Sequence, residues 1–364
     1  MNSEKPTVLS TFAGCGGMDL GFQLAGFQTV WACDNDASAV QTFRNYFGDV
    51  IIEEDIRNID PFTDSTIPDA DVVTGGFPCQ DFSNVWKKPG LNGERGNLYK
   101  DFRDFIAAKQ PMAFVGENVK GLLSANNRSA IKTIIDDLES IEPGYLVKPR
   151  LYNFADYGVP QLRERVIIVG IRKDTGFNFR HPKPTHGSRG LLSYKTASQA
   201  LEGVKEISLN NELPRHSPNT VSFLSRIPEG KNYLTIPKDD PQYVKGLISH
   251  VYRRLDRNQP APTVIASGGG GTLGYHYEEP RALTNRERAR LQTFPDSFRF
   301  LGNRTEIRRQ IGNAVPPEGI EPVATRLRRL FSGQFVPVDL EEEINRLKEL
   351  TIEQRLREAN LEVD

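Results

Sequence analysis

The feature that most constrains the fold is the regular alternation of short apolar runs and helical patterns over residues 1–175. The apolar runs predict strands at Val8–Leu9, Val30–Ala32, Val50–Ile52, Val72–Val73, Ala113–Val115, Leu146–Leu151 and Val166–Ile171. Helical patterns lie between them at Leu20–Ala25, Ala37–Tyr46, Leu98–Ala108 and Ile131–Ile141. This alternation predicts an α/β fold, a mostly parallel sheet with helices on both faces. Such sheets bind ligands at the carboxyl ends of their strands, so the residues after each strand are the candidates for a site.

The pattern changes between about Thr185 and Arg281, where the chain is rich in Pro, Asn, Ser and Gly. A structureless loop of that length is improbable, so we predict a second, smaller, loop-rich domain inserted into the first. Helical pattern returns at Thr284–Gln292 and again at Glu341–Glu358. The predicted boundaries are residues 1–184 plus 282–335 for the first domain, 185–281 for the inserted domain, and 336–364 for a charged tail.

The formal net charge of −1 hides an uneven distribution along the chain. From Arg180 to Arg257 there are 13 Lys and Arg against 7 acidic residues, a net charge of +6. From Arg281 to Arg309 there are 8 against 3, a net of +5, and from Phe335 to Asp364 there are 4 against 9, a net of −5. A basic second half fits a protein that holds a polyanion on one face, although an ordinary solvated surface fits the same counts.

The sequence contains no run of about 18 consecutive apolar residues, which argues against a membrane span. Met1–Pro6 is short and polar and does not resemble a secretory signal. Cys15, Cys33 and Cys79 are too few and too scattered for a disulfide framework, and no Cys/His pair has zinc-ligand spacing. We therefore expect a cytoplasmic protein without a metal site.

A glycine-rich turn, Phe12–Gly17, follows the first predicted strand. Its glycines, Gly14, Gly16 and Gly17, let a ligand approach the backbone closely. The turn fails as a dinucleotide fingerprint, because Asp19 occupies the third glycine position. It therefore favours a nucleoside ligand without phosphates.

Acidic residues follow the second and third predicted strands. Asp34 is suited to accept hydrogen bonds from ribose hydroxyls, and Asp55-Ile56 joins an acceptor for an adenine amino group to an apolar contact for the ring. Either acid alone is more often a cap or turn residue. Suitable groups after three successive strands together predict a nucleoside site.

The fourth and fifth predicted strands end in residues suited to covalent chemistry. In the loop Gly75–Ser83, Cys79 follows Pro78, and exposure and backbone dipoles there would favour its thiolate. Glu117, in Glu117-Asn118-Val119, brings a carboxyl group to the same edge of the sheet.

A later turn, Asp156–Arg165, carries two arginines, Arg163 and Arg165. They are two residues apart, so on an extended segment their side chains point the same way. Guanidinium groups at this spacing suit a carboxylate or a phosphate.

These residues belong to an ordered series of motifs. The series is Phe12–Gly17, Pro78-Cys79-Gln80, Glu117-Asn118-Val119, Gln161-x-Arg163-x-Arg165 and Gly312-Asn313-Ala314-Val315-Pro316-Pro317. It resembles that of DNA cytosine-5 methyltransferases, particularly the single-chain bacterial modification enzymes, over about Thr7–Arg329. The resemblance implies a Rossmann-like, S-adenosylmethionine-dependent methyltransferase domain interrupted by a target-recognition domain, with DNA in the cleft between them.

The resemblance also implies cofactor contacts. It puts Phe12 against the adenine, Asp34 on the ribose and Asp55 on the amino group of S-adenosylmethionine. The other residues that it assigns to the cofactor pocket are Gly14, Gly16, Gly17, Asn35, Ile56, Pro78, Leu98, Asn313 and Val315. Asn35 stands where the family often has a bulkier residue, which weakens the case for adenine stacking on that side.

On the DNA side the resemblance implies contacts by Gln80, Ser83, Thr263 and Val264, with the loop Ser83–Gly96 closing over the duplex. Thr263-Val264 resembles the Thr-Leu pair that these enzymes carry late in the recognition domain. A cytosine inside a stacked duplex is out of reach, so the target base must be flipped out at a cost of a few kcal/mol.

The implied chemistry needs four side chains. Addition of the Cys79 thiolate to carbon 6 makes carbon 5 of cytosine nucleophilic. Glu117 would protonate N3, Arg165 would hold the ring oxygen, and Arg163 would position Glu117 or a phosphate. The sequence contains no obvious base for the carbon 5 proton, and water or hydroxide is suitable.

Three alternatives remain open at this stage: an RNA cytosine-5 methyltransferase, a catalytically idle DNA-binding regulator and a nicotinamide dehydrogenase. The long recognition segment favours duplex DNA, and the intact Cys79, Glu117 and Arg165 disfavour a regulator. Asp19 disfavours the dehydrogenase. We expect a monomer whose partners are double-stranded DNA and, functionally, a restriction endonuclease.

Overall fold

The first domain is built on one seven-stranded sheet. The computed structural model describes residues 5–78, 98–125, 129–241, 243, 251–266, 272 and 274–333. The strands are β1 Thr7–Thr11, β2 Gln28–Asp34, β3 Ile51–Glu53, β4 Val72–Gly75, β5 Ala113–Val119, β6 Tyr145–Asn153 and β7 Glu164–Arg172. Their order across the sheet is β3-β2-β1-β4-β5-β7-β6. All seven predicted strands are therefore confirmed.

The sheet is mostly parallel, as predicted. β1, β2, β3, β4 and β5 pair in parallel, whereas β7 is antiparallel to both β5 and β6. The reversal brings the amino end of β7 to the edge where β1, β2, β4 and β5 have their carboxyl ends. Residues at the start of β7 can therefore join a site at that edge.

Helices cover both faces of the sheet. They are α1 Gly17–Leu24, α2 Ala37–Phe47, α3 Leu98–Lys109, α4 Ser129–Glu139, α5 Ala197–Leu201, α6 Pro218–Ser225, α7 Asn285–Leu291, α8 Arg304–Asn313 and α9 Pro317–Phe331. Successive strand residues point to opposite faces. Leu9 and Val73 belong to the core shared with α3 and α4, and their neighbours Val8 and Val72 belong to the core shared with α1 and α9.

The helical patterns predicted along the first domain correspond to α1 to α4, and the one at Thr284–Gln292 corresponds to α7. Thr284 caps α7, where its hydroxyl accepts the Glu287 amide and the Glu287 carboxylate accepts the Thr284 amide. No pattern predicted α9, because Pro317 and Pro322 suggest a break. Pro317 stands in the first turn, where no helical hydrogen bond is lost, and the helix buries an apolar face against the sheet.

The region 185–281 contains short helices connected by loops, and α5 and α6 lie within it. It has a small apolar cluster of Phe223, Leu224, Ile227, Tyr233, Ile236, Val251, Tyr275 and Ala282. Its Leu201, Leu255 and Val264 share a second cluster with residues of α7 and α8. The region is therefore packed against the segment that follows it, and the predicted domain boundaries stay predictions.

The tail predicted to contain a helix at Glu341–Glu358 lies outside the described residues. Within the described part of the chain, no helix is both long and apolar enough to cross a membrane.

Candidate active site

A cavity of about 480 Å³ lies at the carboxyl edge of the sheet. Thr11, Asp34, Gly75 and Glu117 bring the ends of β1, β2, β4 and β5 to it, and the segment 312–315 closes it. The predicted site residues in its wall are Phe12, Gly14, Gly17, Asp34, Asn35, Pro78, Glu117, Arg163, Arg165, Asn313 and Val315. One cavity therefore contains residues from both the predicted nucleoside site and the predicted base site.

The glycine-rich turn begins the cavity. Gly14 and Gly16 have φ angles of 55° and 89°, in the left-handed region that favours glycine. A Cβ atom on Gly17 would lie 2.4 Å from the carbonyl oxygen of Val315, so glycine lets the start of α1 approach the segment that closes the cavity. Gly16 is outside the cavity wall, where a Cβ atom would lie 2.3 Å from the Phe47 ring.

Asp34 holds this turn in place. Its Oδ2 accepts the Gly14 amide at 2.7 Å and its Oδ1 accepts the Asp36 amide at 2.9 Å. Burial raises the pKa of this carboxyl despite both bonds. Each carboxylate oxygen keeps acceptor capacity for a ligand hydroxyl in the cavity.

Asp55, Ile56 and Leu98 do not line the cavity. The Asp55 carboxylate pairs with Arg57 at 2.6 Å, which lowers its pKa to about 2. Ile56 is buried in the core below the sheet edge, and Leu98 packs against that core. Asn35, in the cavity wall, is close enough to Asp55 to help lower the pKa of that carboxyl, after the larger effect of Arg57.

At the other end of the cavity, Glu117 pairs with Arg165. Arg165 Nε lies 2.9 Å from Glu117 Oε1, and both side chains are mostly buried. The antiparallel register of β5 and β7 sets Val119 opposite Arg165. Glu117 is two residues before Val119 and points to the same face, so it is the diagonal neighbour of Arg165 across the two strands. A Cβ atom on Gly76 would lie 3.5 Å from Glu117 Oε2, so the free side of the carboxylate faces the chain that leads to Cys79.

Asn118 is a positioning residue to which the sequence had given no role. Its Nδ2 donates to the Phe77 carbonyl at 3.0 Å, and its Oδ1 accepts the Val119 amide at 2.8 Å. The first bond fixes the backbone two residues before Cys79. The position of Asn118 directly after Glu117 in a motif is the one sequence feature that could have indicated this role.

Arg163 is held by two backbone carbonyls. It donates to the carbonyls of Val264, at 3.2 Å, and Gly312, at 3.1 Å. Its side chain is buried, and that burial lowers its pKa to about 9. The expectation that it positions Glu117 or a phosphate stays a prediction, and the described ion pair of Glu117 is with Arg165.

The predicted DNA contacts differ in accessibility. Thr263 is exposed and donates to the Leu162 carbonyl at 2.7 Å. The side chain of Val264 is 5% exposed and packs in the core shared with α7 and α8, which speaks against a DNA contact by that side chain. The Val264 amide donates to Gln161 Oε1 at 2.7 Å.

The predicted roles of four features stay predictions, because all four lie outside the described residues: Cys79, Gln80, Ser83 and the loop Ser83–Gly96. The other two cysteines, Cys15 and Cys33, are buried. Burial raises the pKa of both thiols, which makes them poor nucleophiles.

Comparison with known proteins identifies the family. The family model described as C-5 cytosine-specific DNA methylase matches residues 7–329. Type II methyltransferase M.NgoFVII of Neisseria gonorrhoeae is 58% identical over 98% of this chain and 95% of the relative. Type II methyltransferase M.BbvI of Brevibacillus brevis is 43% identical over 88% of this chain and 90% of the relative.

Among solved structures, a putative DNA modification methyltransferase from an Escherichia coli prophage superposes with a TM-score of 0.72 at 23% identity. The match covers 90% of this chain and 100% of that one, and it supports the Rossmann-like fold. The chain belongs to the C-5 cytosine-specific DNA methylase family and is a DNA (cytosine-5-)-methyltransferase of the bacterial restriction–modification type.

Proposed function

We propose that this enzyme transfers a methyl group from S-adenosylmethionine to carbon 5 of a cytosine flipped out of duplex DNA, through a covalent bond between Cys79 and carbon 6. The observation that carries the proposal is the shared cavity. Asp34 and the glycine-rich turn line one end, and the Glu117–Arg165 pair lines the other. A nucleoside cofactor and a pyrimidine base can therefore meet inside one enclosure.

The nucleoside end fits a cation better than a pyrophosphate. Asp19, Asp34 and Asp36 line that part of the wall. Asp36 is paired with Arg309 at 2.7 Å and Asp19 accepts hydrogen bonds from Ser10 and Thr29, so Asp34 is the carboxylate that faces a ligand. Thr74 Oγ1, also in the wall, is buried and lacks a hydrogen-bond partner among the described residues, so it is available to a polar ligand. When bound, S-adenosylmethionine supplies an activated methyl group beside a positive sulfur.

Phe12, Asp34 and Asn313 are the residues that would hold this cofactor. Phe12 offers an apolar contact for the adenine, and Asp34 offers acceptors for the ribose hydroxyls. Asn313 stands in the segment that closes the cavity. Asp55 would act only from behind Asn35, since Arg57 already engages its carboxylate.

At the base end, the Cys79 thiolate would add to carbon 6 while Glu117 delivers a proton to N3. The electron pair of the carbon 5–carbon 6 bond then makes carbon 5 the nucleophile that accepts the methyl group. Loss of the carbon 5 proton restores that double bond and expels the thiolate. Arg165 supports the Glu117 carboxylate and limits its rotation through the 2.9 Å contact.

Residues 185–281 would read the DNA sequence, because their loops and basic excess suit contacts to bases and phosphates. The type II names of the relatives support a functional pairing with an endonuclease that cuts the same sequence. We infer that the enzyme acts as a monomer, which sedimentation of the enzyme with and without DNA would test.

The test of the covalent step uses 5-fluorocytosine. Bisulfite sequencing of DNA from an expressing host first identifies the methylated cytosine. Duplex with 5-fluorocytosine at that position should then form an adduct that survives denaturing electrophoresis, because fluorine cannot leave as a cation. Peptide mapping should place the adduct at Cys79.

The adduct should require S-adenosylmethionine and should be absent from Cys79→Ala. The proposal fails if the wild type methylates ordinary duplex yet never traps on the fluorinated one. An adduct at Cys15 or Cys33 would keep the mechanism and overturn the choice of nucleophile. Trapping only on fluorinated RNA would overturn the duplex DNA substrate.

A further inference from the structure

A second cavity, of about 280 Å³, lies between α7, α8 and the region 185–281. No described residue lines both this cavity and the first one. Its charged wall residues are Arg215, Arg288, Arg304, Arg308 and Glu212, with His216 beside them. Four arginines against one glutamate leave a net charge of +3 when the histidine is neutral.

Three of these arginines, Arg215, Arg304 and Arg308, have few partners among the described residues. Neither Arg215 nor Arg308 forms a salt bridge with any residue that the structure describes. Arg308 Nε is buried and has no hydrogen-bond partner in the described part of the chain. The contact found for Arg304 is a long one, 3.5 Å to the Leu213 carbonyl.

The nearby carboxylates are occupied elsewhere. Glu287 receives two hydrogen bonds from Arg281, at 2.7 and 2.9 Å, and caps α7. Glu306 caps α8 by accepting the Asn303 amide at 2.8 Å. Glu287 and Glu306 are therefore not the ion-pair partners of Arg215, Arg304 or Arg308 in the described part of the chain.

The wall of the cavity also contains two aromatic rings and a neutral histidine. Tyr252 and Tyr275 stack in its wall with ring centroids 5.7 Å apart. His216 Nε2 accepts the Ala282 amide at 3.0 Å, so the neutral ring carries its hydrogen on Nδ1, and burial lowers the pKa of His216.

Burial and then the charge of Arg308 lower the pKa of Arg288 to about 10, which indicates that these two arginines are close to each other.

We propose that this cavity is a phosphate-binding pocket, separate from the methyl-transfer cavity, in which Arg215, Arg304 and Arg308 hold one phosphate group. Guanidinium groups match phosphate oxygens in pairs, and a phosphate would give the buried Arg308 Nε an acceptor. The volume is on the order of nine waters, enough for a phosphate group with part of its hydration. The phosphate belongs either to the DNA backbone or to a free phosphate compound, and the chemistry is the same.

The test compares Arg308→Gln and Arg215→Gln with Arg329→Gln. Arg329 is exposed on α9 and outside the cavity, so its variant removes the same charge elsewhere. The first arm measures DNA affinity without cofactor over a range of salt concentrations. If the phosphate is from DNA, each cavity variant should lower the slope of log affinity against log salt by about 1, on any sequence.

The second arm measures binding of inorganic phosphate by calorimetry, at constant ionic strength. If the source is a free phosphate compound, the wild type should bind phosphate, both cavity variants should lose at least tenfold in affinity, and the DNA salt slopes should stay unchanged. The proposal is overturned if the cavity variants match Arg329→Gln in both arms. Neither arm requires methyl transfer, so failure here leaves the proposed function standing.

Melting temperature separates an anion site from a structural role. Arg308 lacks a partner for its buried Nε, so Arg308→Gln should melt no lower than the wild type, and Arg308→Lys should keep part of the affinity. A clear drop in melting temperature for Arg308→Gln would contradict the proposal, because the guanidinium would then be holding the fold.

Discussion

The sheet domain and the region 185–281 are held together by different means. In the sheet domain, strand residues alternate between two apolar cores, and backbone pairing satisfies the peptide groups. In 185–281 the apolar cluster is small, and a buried arginine holds the loops together through hydrogen bonds to backbone carbonyls. Arg254 donates to the carbonyls of Ile227, at 2.8 Å, His276, at 3.1 Å, and Tyr277, at 2.6 Å.

This difference has a functional reason. A sheet fixes the positions of catalytic groups, because each strand end is tied to its neighbours. Loops that are held by a few polar side chains can vary in sequence at their other positions without loss of the fold. The methyl-transfer chemistry and the choice of DNA sequence are therefore expected to be separable.

The strongest test of this separation exchanges residues 185–281 for the matching region of a relative. The chimera should methylate the sites of the donor enzyme, and the original sites should no longer be modified. Bisulfite sequencing of host DNA measures this. An active chimera that still modifies the original sites would show that recognition lies elsewhere in the chain.

The next largest effect is expected at the base end of the cavity. Glu117→Gln should bind DNA but lose about 10²-fold in methyl-transfer rate, because an amide cannot deliver the N3 proton. Single-turnover transfer of labelled methyl groups measures the rate. Asp136→Asn, which removes an exposed carboxylate on α4, is the control. A rate within about twofold of the wild type would remove Glu117 from the mechanism.

Arg254→Met tests the polar support of the recognition region. It leaves three carbonyls without their donor and should reduce the free energy of unfolding by roughly 2 kcal/mol. Urea titration measures this loss, and DNA affinity should fall while cofactor affinity holds. Arg253→Met alters the exposed neighbour and should leave the free energy of unfolding unchanged. Equal stability of the two variants would contradict the role given to Arg254.

The smallest effect is expected at the nucleoside end. Asp34→Ala should raise the cofactor dissociation constant about tenfold, the scale of one or two charged hydrogen bonds. Calorimetry gives this constant, and DNA affinity without cofactor should stay the same. Asp49→Ala, at an exposed carboxylate paired with Arg44, is the matched control. Unchanged cofactor binding in Asp34→Ala would reject the ribose contact.

The sequence predicted the parts of the fold that follow from local periodicity. Apolar runs located the strands, and the glycine-rich turn located the start of the cavity. It did not predict α9, whose two prolines act as break signals although tertiary packing supports the helix. Nor did it predict Asn118 as a tether for Phe77, since a hydrogen bond between distant strand ends has no local signature.

The ion pair between Arg165 and Glu117 could not be predicted from the sequence for a similar reason. Spacing indicated that Arg163 and Arg165 point the same way, and both do line the cavity. Which of the two arginines contacts Glu117 depends on the antiparallel register of β5 and β7. The spacing of residues within one segment gives no information on that register. The partners of Arg163 come from residues 264 and 312, far along the chain.

Those two partners of Arg163 join the region 185–281 to the segment 312–315 that closes the cavity. A Cβ atom at Gly312 would lie 2.2 Å from the Ala266 nitrogen, so the two backbones are in direct contact as well. Because Arg163 bridges the Val264 and Gly312 carbonyls, we expect a shift of residues 264–266 to move the segment that closes the cavity. By thermodynamic linkage, any change that DNA makes in cofactor affinity is returned as an equal change in DNA affinity on cofactor binding.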